Sequence, residues 1–129
     1  MKPFEQKILV TEAYLDELQH VNNVQYLLWV QDIAGAHWQS LIAGKTETFG
    51  IWMVRSHNIE YKRQAKLWDN LRAVTHVEPT KGFLSERIVR FYLENTTTLL
   101  VQCSTQWCYL DPTNQKLTRI PEEINMLFT

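Results

Sequence analysis

The chain has 129 residues, 45% of them hydrophobic, with thirteen Lys+Arg against fourteen Asp+Glu and a formal net charge of −1. That length suits one domain, residues 1–129, with its own apolar core and no separate cofactor domain, and the charge balance lacks the basic stripe of a nucleic-acid surface. The segment Met1–Lys7 carries a glutamate and no apolar signal region, and no window approaches the roughly 18 apolar residues of a membrane span, so the expectation is a cytoplasmic protein without nucleic-acid or membrane partners.

Lys7–Leu15, rich in β-branched and apolar residues, reads as an opening strand that stops at Asp16-Glu17-Leu18-Gln19-His20. From Asn22 the period changes. Tyr26, Val30, Ile33, His37 and Leu41 form one stripe and Leu27, Ala34, Trp38 and Leu41 a neighbouring one, which predicts a long helix, Asn22–Ala43, mostly enclosed by the rest of the protein. Asn22 or Asn23 suits its N-cap, and Gly44 suits the left-handed position beyond its end. The small run Ala34-Gly35-Ala36 is expected to let a sheet approach closely.

After the helix the period becomes two. Ile51, Met53, Arg55, His57, Ile59 and Tyr61 alternate with Trp52, Val54, Ser56, Asn58, Glu60 and Lys62, and a second strand runs from Leu71 to Glu78. Val89, Phe91 and Leu93 face opposite to Ile88, Arg90 and Tyr92, and Leu99, Val101, Cys103, Thr105, Trp107 and Tyr109 form the last apolar row. The turns Pro79–Gly82 and Glu94–Thr98 predict hairpins, hence an antiparallel sheet. A further turn follows Asp111-Pro112, and a short helix starts near Pro121 with acids in its first turn. The sum is an α+β domain, one long helix against a curved antiparallel sheet.

Cys103 and Cys108 share one strand at odd spacing, on opposite faces and roughly 16 Å apart, too far for a disulfide and without metal-site spacing. They read as free thiols in a reducing compartment, and no metal site is expected.

Asp16 to Asn23 gathers carboxylate, imidazole and amide groups directly before the helix. The first amides of a helix have no internal partners, and the macrodipole adds positive charge there, so a carbonyl aimed at that terminus is polarised and an oxyanion stabilised. A nearby acid then serves as nucleophile or as base for a water. The competing reading makes Asp16 and the asparagines turn formers and caps, and His20 an ordinary core or surface histidine.

The run Gln19-His20-Val21-Asn22-Asn23-Val24-Gln25-Tyr26, preceded by Asp16, resembles the Asp-x-x-x-His-Val-Asn-Asn-x-x-Tyr motif that opens the central helix of hotdog-fold acyl thioesterases, both the 4-hydroxybenzoyl-CoA thioesterase-like enzymes and the acyl-ACP thioesterases. Asn58-Ile59-Glu60-Tyr61-Lys62-Arg63-Gln64-Ala65, followed by Trp68-Asp69-Asn70-Leu71, is similar to a second family segment, and Leu110-Asp111-Pro112 through Glu123 to the family's ending. The resemblance implies hydrolysis of an acyl-CoA or acyl-ACP thioester without cofactor, in a homodimer or dimer of dimers with the site at the interface.

It also implies catalytic roles for Asp16, His20 and Asn23, and substrate contacts from Tyr26, Asn58, Tyr61, Arg63 and Gln64, with Asp16 as nucleophile or general base. Leu18 and Gln64 depart from the carrier-protein branch, which has asparagine and glutamate there; Gln64 can orient a water but cannot be the base. Glu17, the rival acid, points to the opposite face if the opening strand continues through it. Lys62, Arg63 and Lys66 are candidates for the CoA diphosphate, and Tyr26, Trp29 and Tyr61 for an acyl tunnel or, equally, for core. A non-catalytic acyl-binding module on the same scaffold is the alternative from another class.

Overall fold

Two periods divide the chain in the computed structural model, which describes residues 3–129; Met1 and Lys2 of the N-terminal segment lie outside it. Along the chain come β1 (Phe4–Leu9), a 3-10 turn (Glu12–Tyr14), α1 (Asn23–Ile42), β2 (Ile51–Tyr61), β3 (Asn70–Val77), β4 (Leu84–Leu93), β5 (Leu99–Leu110) and α2 (Glu122–Phe128). The strands make one five-stranded sheet in the order β1-β3-β4-β5-β2, antiparallel at every pairing. Both expected hairpins are present, joining β3 to β4 and β4 to β5.

The helix ends follow their local chemistry. Asn22 is extended and its side chain accepts from the Val24 amide at 2.9 Å. Beyond Ala43, Gly44 adopts φ 76°, a left-handed conformation that costs a glycine nothing. Tyr26, Trp29, Val30 and Ile33 then pack on Leu71, Ala73, Val89, Phe91, Val101 and Cys103, the inward row of the sheet. The large aliphatic side chains and Phe91 among these contribute about 1.5–3 kcal/mol each on burial. A second cluster at the other end joins Val77, Tyr109, Ile120, Ile124 and Phe128, with Trp38, Leu41, Phe49 and Trp52 against it.

Four expectations need correction. The opening strand stops at Leu9 rather than Leu15, because its partner β3 begins at Asn70, opposite Leu9, and leaves nothing further to pair with. In β2 the register shifts between Val54 and Ser56. This bulge puts Trp52 and Val54 on the same side as His57 and Ile59, so the unbroken alternation from Ile51 to Tyr61 fails at Arg55.

The helix is covered on one face only: Val24 is 62% and Leu28 50% exposed, against the expected enclosure. Finally, Gly35 does not serve a close approach of the sheet. A Cβ placed there meets nothing within 4 Å, since Gly35 borders a cavity instead. Pro121 takes the N-cap of α2, and the thiols of buried Cys103 and half-buried Cys108 are free.

Candidate active site

The loop before α1 is folded around one carboxylate. Gln19 adopts φ 63°, which lets the chain reverse so that the Asp16 amide donates to the His20 carbonyl at 2.8 Å and the Gln19 amide to the Asp16 carbonyl at 3.1 Å. Asp16 Oδ1 accepts from the Leu18 amide at 2.9 Å and the His20 amide at 3.2 Å. The turn-forming reading of Asp16 is therefore realised, while its Oδ2 takes no hydrogen bond among the described residues. Asp16 and Glu17 are not separated by strand alternation, because neither lies on a strand. They differ in that Asp16 is half-buried and Glu17 exposed.

The second motif meets the first in space. His20 bridges to Lys66, the Val21 amide donates to the Ala65 carbonyl at 3.3 Å, and the Asn22 amide to the Tyr14 carbonyl at 2.9 Å. From the end of β2 the Tyr61 hydroxyl donates to the Asn23 carbonyl at 3.2 Å. Arg63 and Gln64 stand exposed beside fully buried Ala65. Lys62 is exposed and pairs with Glu60 at 3.4 Å, a weak surface contact. Asn58 is exposed on β2 opposite Ser104 and takes no part in these hydrogen bonds.

Tyr26 and Trp29 belong to an aromatic cluster with Tyr14, Tyr61 and Phe91, their centroids 5.0–6.1 Å apart. Burial pushes the Tyr26 hydroxyl up to about 12, so it stays protonated.

At the helix start the Val24 amide is capped by Asn22, and the Gln25 amide donates to the Asn22 carbonyl at 2.9 Å. The Asn23 amide has no acceptor among the described residues. It is a free donor at the positive end of the helix, and an open hollow lined by Leu15, Asp16, Glu17, Leu18 and the N-cap Asn22 lies before the helix. Carboxylate and free amide on one short stretch are what acyl transfer by water or by a carboxylate nucleophile requires.

One polar cluster escaped the sequence reading. Arg87, 5% exposed, donates through Nη1 to Nδ1 of His37 at 2.9 Å and to Thr75 Oγ1 at 3.0 Å. Burial, then the Arg87 charge, lowers His37 to about 4, which leaves it neutral and able to accept. Burial also lowers Arg87 to about 10, still protonated at neutral pH. The signal was legible: Ser85 and Arg87 continue the inward row of Val89 and Phe91 two and four residues upstream.

No helix among the described residues is long and apolar enough to cross a membrane. The chain is similar in structure to a probable thioesterase, YbaW, from Escherichia coli, with TM-score 0.82 and 22% identity over 97% of this chain and 98% of that one. It is similar also to Slr0204, a 1,4-dihydroxy-2-naphthoyl-CoA thioesterase from Synechocystis, with TM-score 0.82 and 14% identity over 98% and 96% of the two chains. The 12:0-ACP thioesterase from Umbellularia californica aligns with TM-score 0.81 and 14% identity over 96% of this chain but 51% of its own. These likenesses show the hotdog fold. Among curated proteins none matches in sequence. The profile of the acyl-ACP thioesterase N-terminal domain matches residues 2–128, and the chain belongs to that thioesterase family.

Proposed function

We propose that the protein is a cytoplasmic acyl-CoA thioesterase that works as one domain in a homodimer or larger assembly. Asp16 acts as nucleophile or general base, and the helix start polarises the thioester carbonyl. The observation that supports this reading is a half-buried carboxylate, Asp16, in the loop that leads into α1, whose first amide, that of Asn23, has no acceptor among the described residues. The carbonyl oxygen of the substrate would take the Asn23 amide, and the Asp16 carboxylate would either attack the carbonyl carbon or remove a proton from the attacking water.

In this reading His20, on the same loop, and Gln64 orient that water, and Tyr61, whose hydroxyl donates to the Asn23 carbonyl, steadies the helix start. The exposed cations Arg63 and Lys66 serve, in the same reading, the CoA phosphates. Acyl-ACP is the second reading, favoured by the family profile and disfavoured by Leu18 and Gln64.

Asp16→Asn is the test, because the amide oxygen of asparagine still accepts from the Leu18 and His20 amides while the charge is gone. Hydrolysis of a panel of acyl-CoA esters should fall by about 10²–10⁴-fold in kcat/KM. Unchanged hydrolysis in that variant rejects the assignment of Asp16, and matched CoA and carrier-protein thioesters separate the two readings.

A further inference from the structure

We propose that the cavity between the second half of α1 and the sheet binds the carboxylate end of a small apolar acid, with Arg87 as its counterion. The cavity measures about 260 Å³, walled by Trp38, Trp52, Trp107 and Phe128, with Ser85 and Arg87 as polar members of the wall. Its mouth lies at Gln31 and Gly35, both exposed.

Three features of the wall point to an anion. Arg87 forms no ion pair among the described residues, although a buried guanidinium without a counterion is costly. Its one engaged nitrogen, Nη1, serves two neutral acceptors, His37 and Thr75, so the Nε and Nη2 hydrogens lack an acceptor among the described residues. These are the donors that grip a carboxylate side-on or end-on. The indole N–H of Trp107, another wall residue, is buried without an acceptor.

The rest of the wall is aromatic and aliphatic, which suits the carbon skeleton that would carry the acid. Asn23 and Gln31 are eight residues apart on α1, about 12 Å along its axis, so the cavity is separate from the helix-start site. The acid is either a free carboxylate or the far carboxyl of an acyl group whose thioester sits at the helix start; the chemistry at Arg87 is the same. The binding proposal itself does not depend on thioester hydrolysis.

Calorimetric titration of the full chain with octanoate and with octanol tests it. Octanoate should bind about 10- to 100-fold more tightly. In Arg87→Met that ratio should collapse to about one, with Arg87→Lys in between. Should Arg87→Met fail to fold, Gly35→Leu decides, because it fills the mouth from a position where a Cβ meets open space and leaves Arg87 in place; octanoate binding should then be lost. Equal affinity for acid and alcohol, no binding of either, or full octanoate affinity in Gly35→Leu overturns the proposal.

The source of the acid follows from kcat/KM for hexadecanedioyl-CoA against palmitoyl-CoA, chains long enough to run from the helix start to Arg87, whose partner His37 lies fourteen residues, about 21 Å, along α1 from Asn23. A preference for the dicarboxylic ester that Arg87→Met removes identifies the acyl end, and a ratio indifferent to Arg87 identifies a free acid. If the wild type hydrolyses no ester of the acyl-CoA and carrier-protein panel, the thioesterase reading falls while the titration still decides the cavity.

Discussion

Asp16 has a structural duty alongside the chemical one proposed for it, and two substitutions tell them apart. Asp16→Ala removes the acceptor for the Leu18 and His20 amides and should cost about 1–2 kcal/mol in urea unfolding, whereas Asp16→Asn should cost little. Equal destabilisation by both would mean that the charge, not the acceptor, holds the loop. His37 makes a different demand, since its neutral ring accepts from Arg87. With its value lowered from 6.5 to about 4 in the folded state, the unfolded chain binds the extra proton first. Stability conferred by neutral His37 is whole above about pH 6.5 and declines as pH falls toward 4, by about 3 kcal/mol in total. His37→Gln, which keeps an acceptor that does not titrate in this range, should flatten that part of the acid slope; unfolding free energies at pH 7 and pH 4.5 check it, and parallel profiles for the two proteins reject it.

At the level of elements, Gly35 is a weak point without a structural reason. It sits inside α1 with open space where its Cβ would be, so Gly35→Ala should raise stability by up to about 1 kcal/mol through helix propensity alone, read as a higher Tm. A drop in Tm would show that the cavity mouth resists even a methyl group. The same helix shows what a sequence discloses. Its N-cap Asn22 and the Gly44 exit were legible because caps are set by residues within one turn, and the hairpins at 79–82 and 94–98 because turn chemistry is local too. The Arg55 bulge has no mark in composition, and the end of β1 depends on where β3, some sixty residues later, begins. Arg87 is easy to pass over although its period is legible, because a row traced only from Ile88 leaves Ser85 and Arg87 outside the strand they continue. The helix-start motif, by contrast, marks Asp16, His20 and Asn23 directly, while the meeting of His20 with Lys66 and of Val21 with Ala65 is a product of the fold.

For the whole molecule, the uncovered surfaces bear on assembly. Val24 and Leu28 lie exposed on α1, and Ile51 and Met53, 39% and 53% exposed, lie on the edge strand β2. Unpaired edges and apolar side chains together favour a second copy of the chain. Sedimentation equilibrium should give twice 15.3 kDa or a multiple of it, with Met53→Lys weakening the association; a single-chain mass at micromolar concentration rejects the dimer. The order of strands carries one more consequence, for the birth of the chain rather than its finished state. The sheet closes only when β5 arrives to join β4 and β2, yet α1 is complete at Ile42, about 60 residues before β5 starts. At about 5–20 residues per second on the ribosome, the helix waits roughly 3–12 s with Tyr26, Trp29 and Ile33 unsheltered. During that interval its apolar stripe is bare on the nascent chain, and this is the stage of the molecule's life at which a chaperone has most to offer.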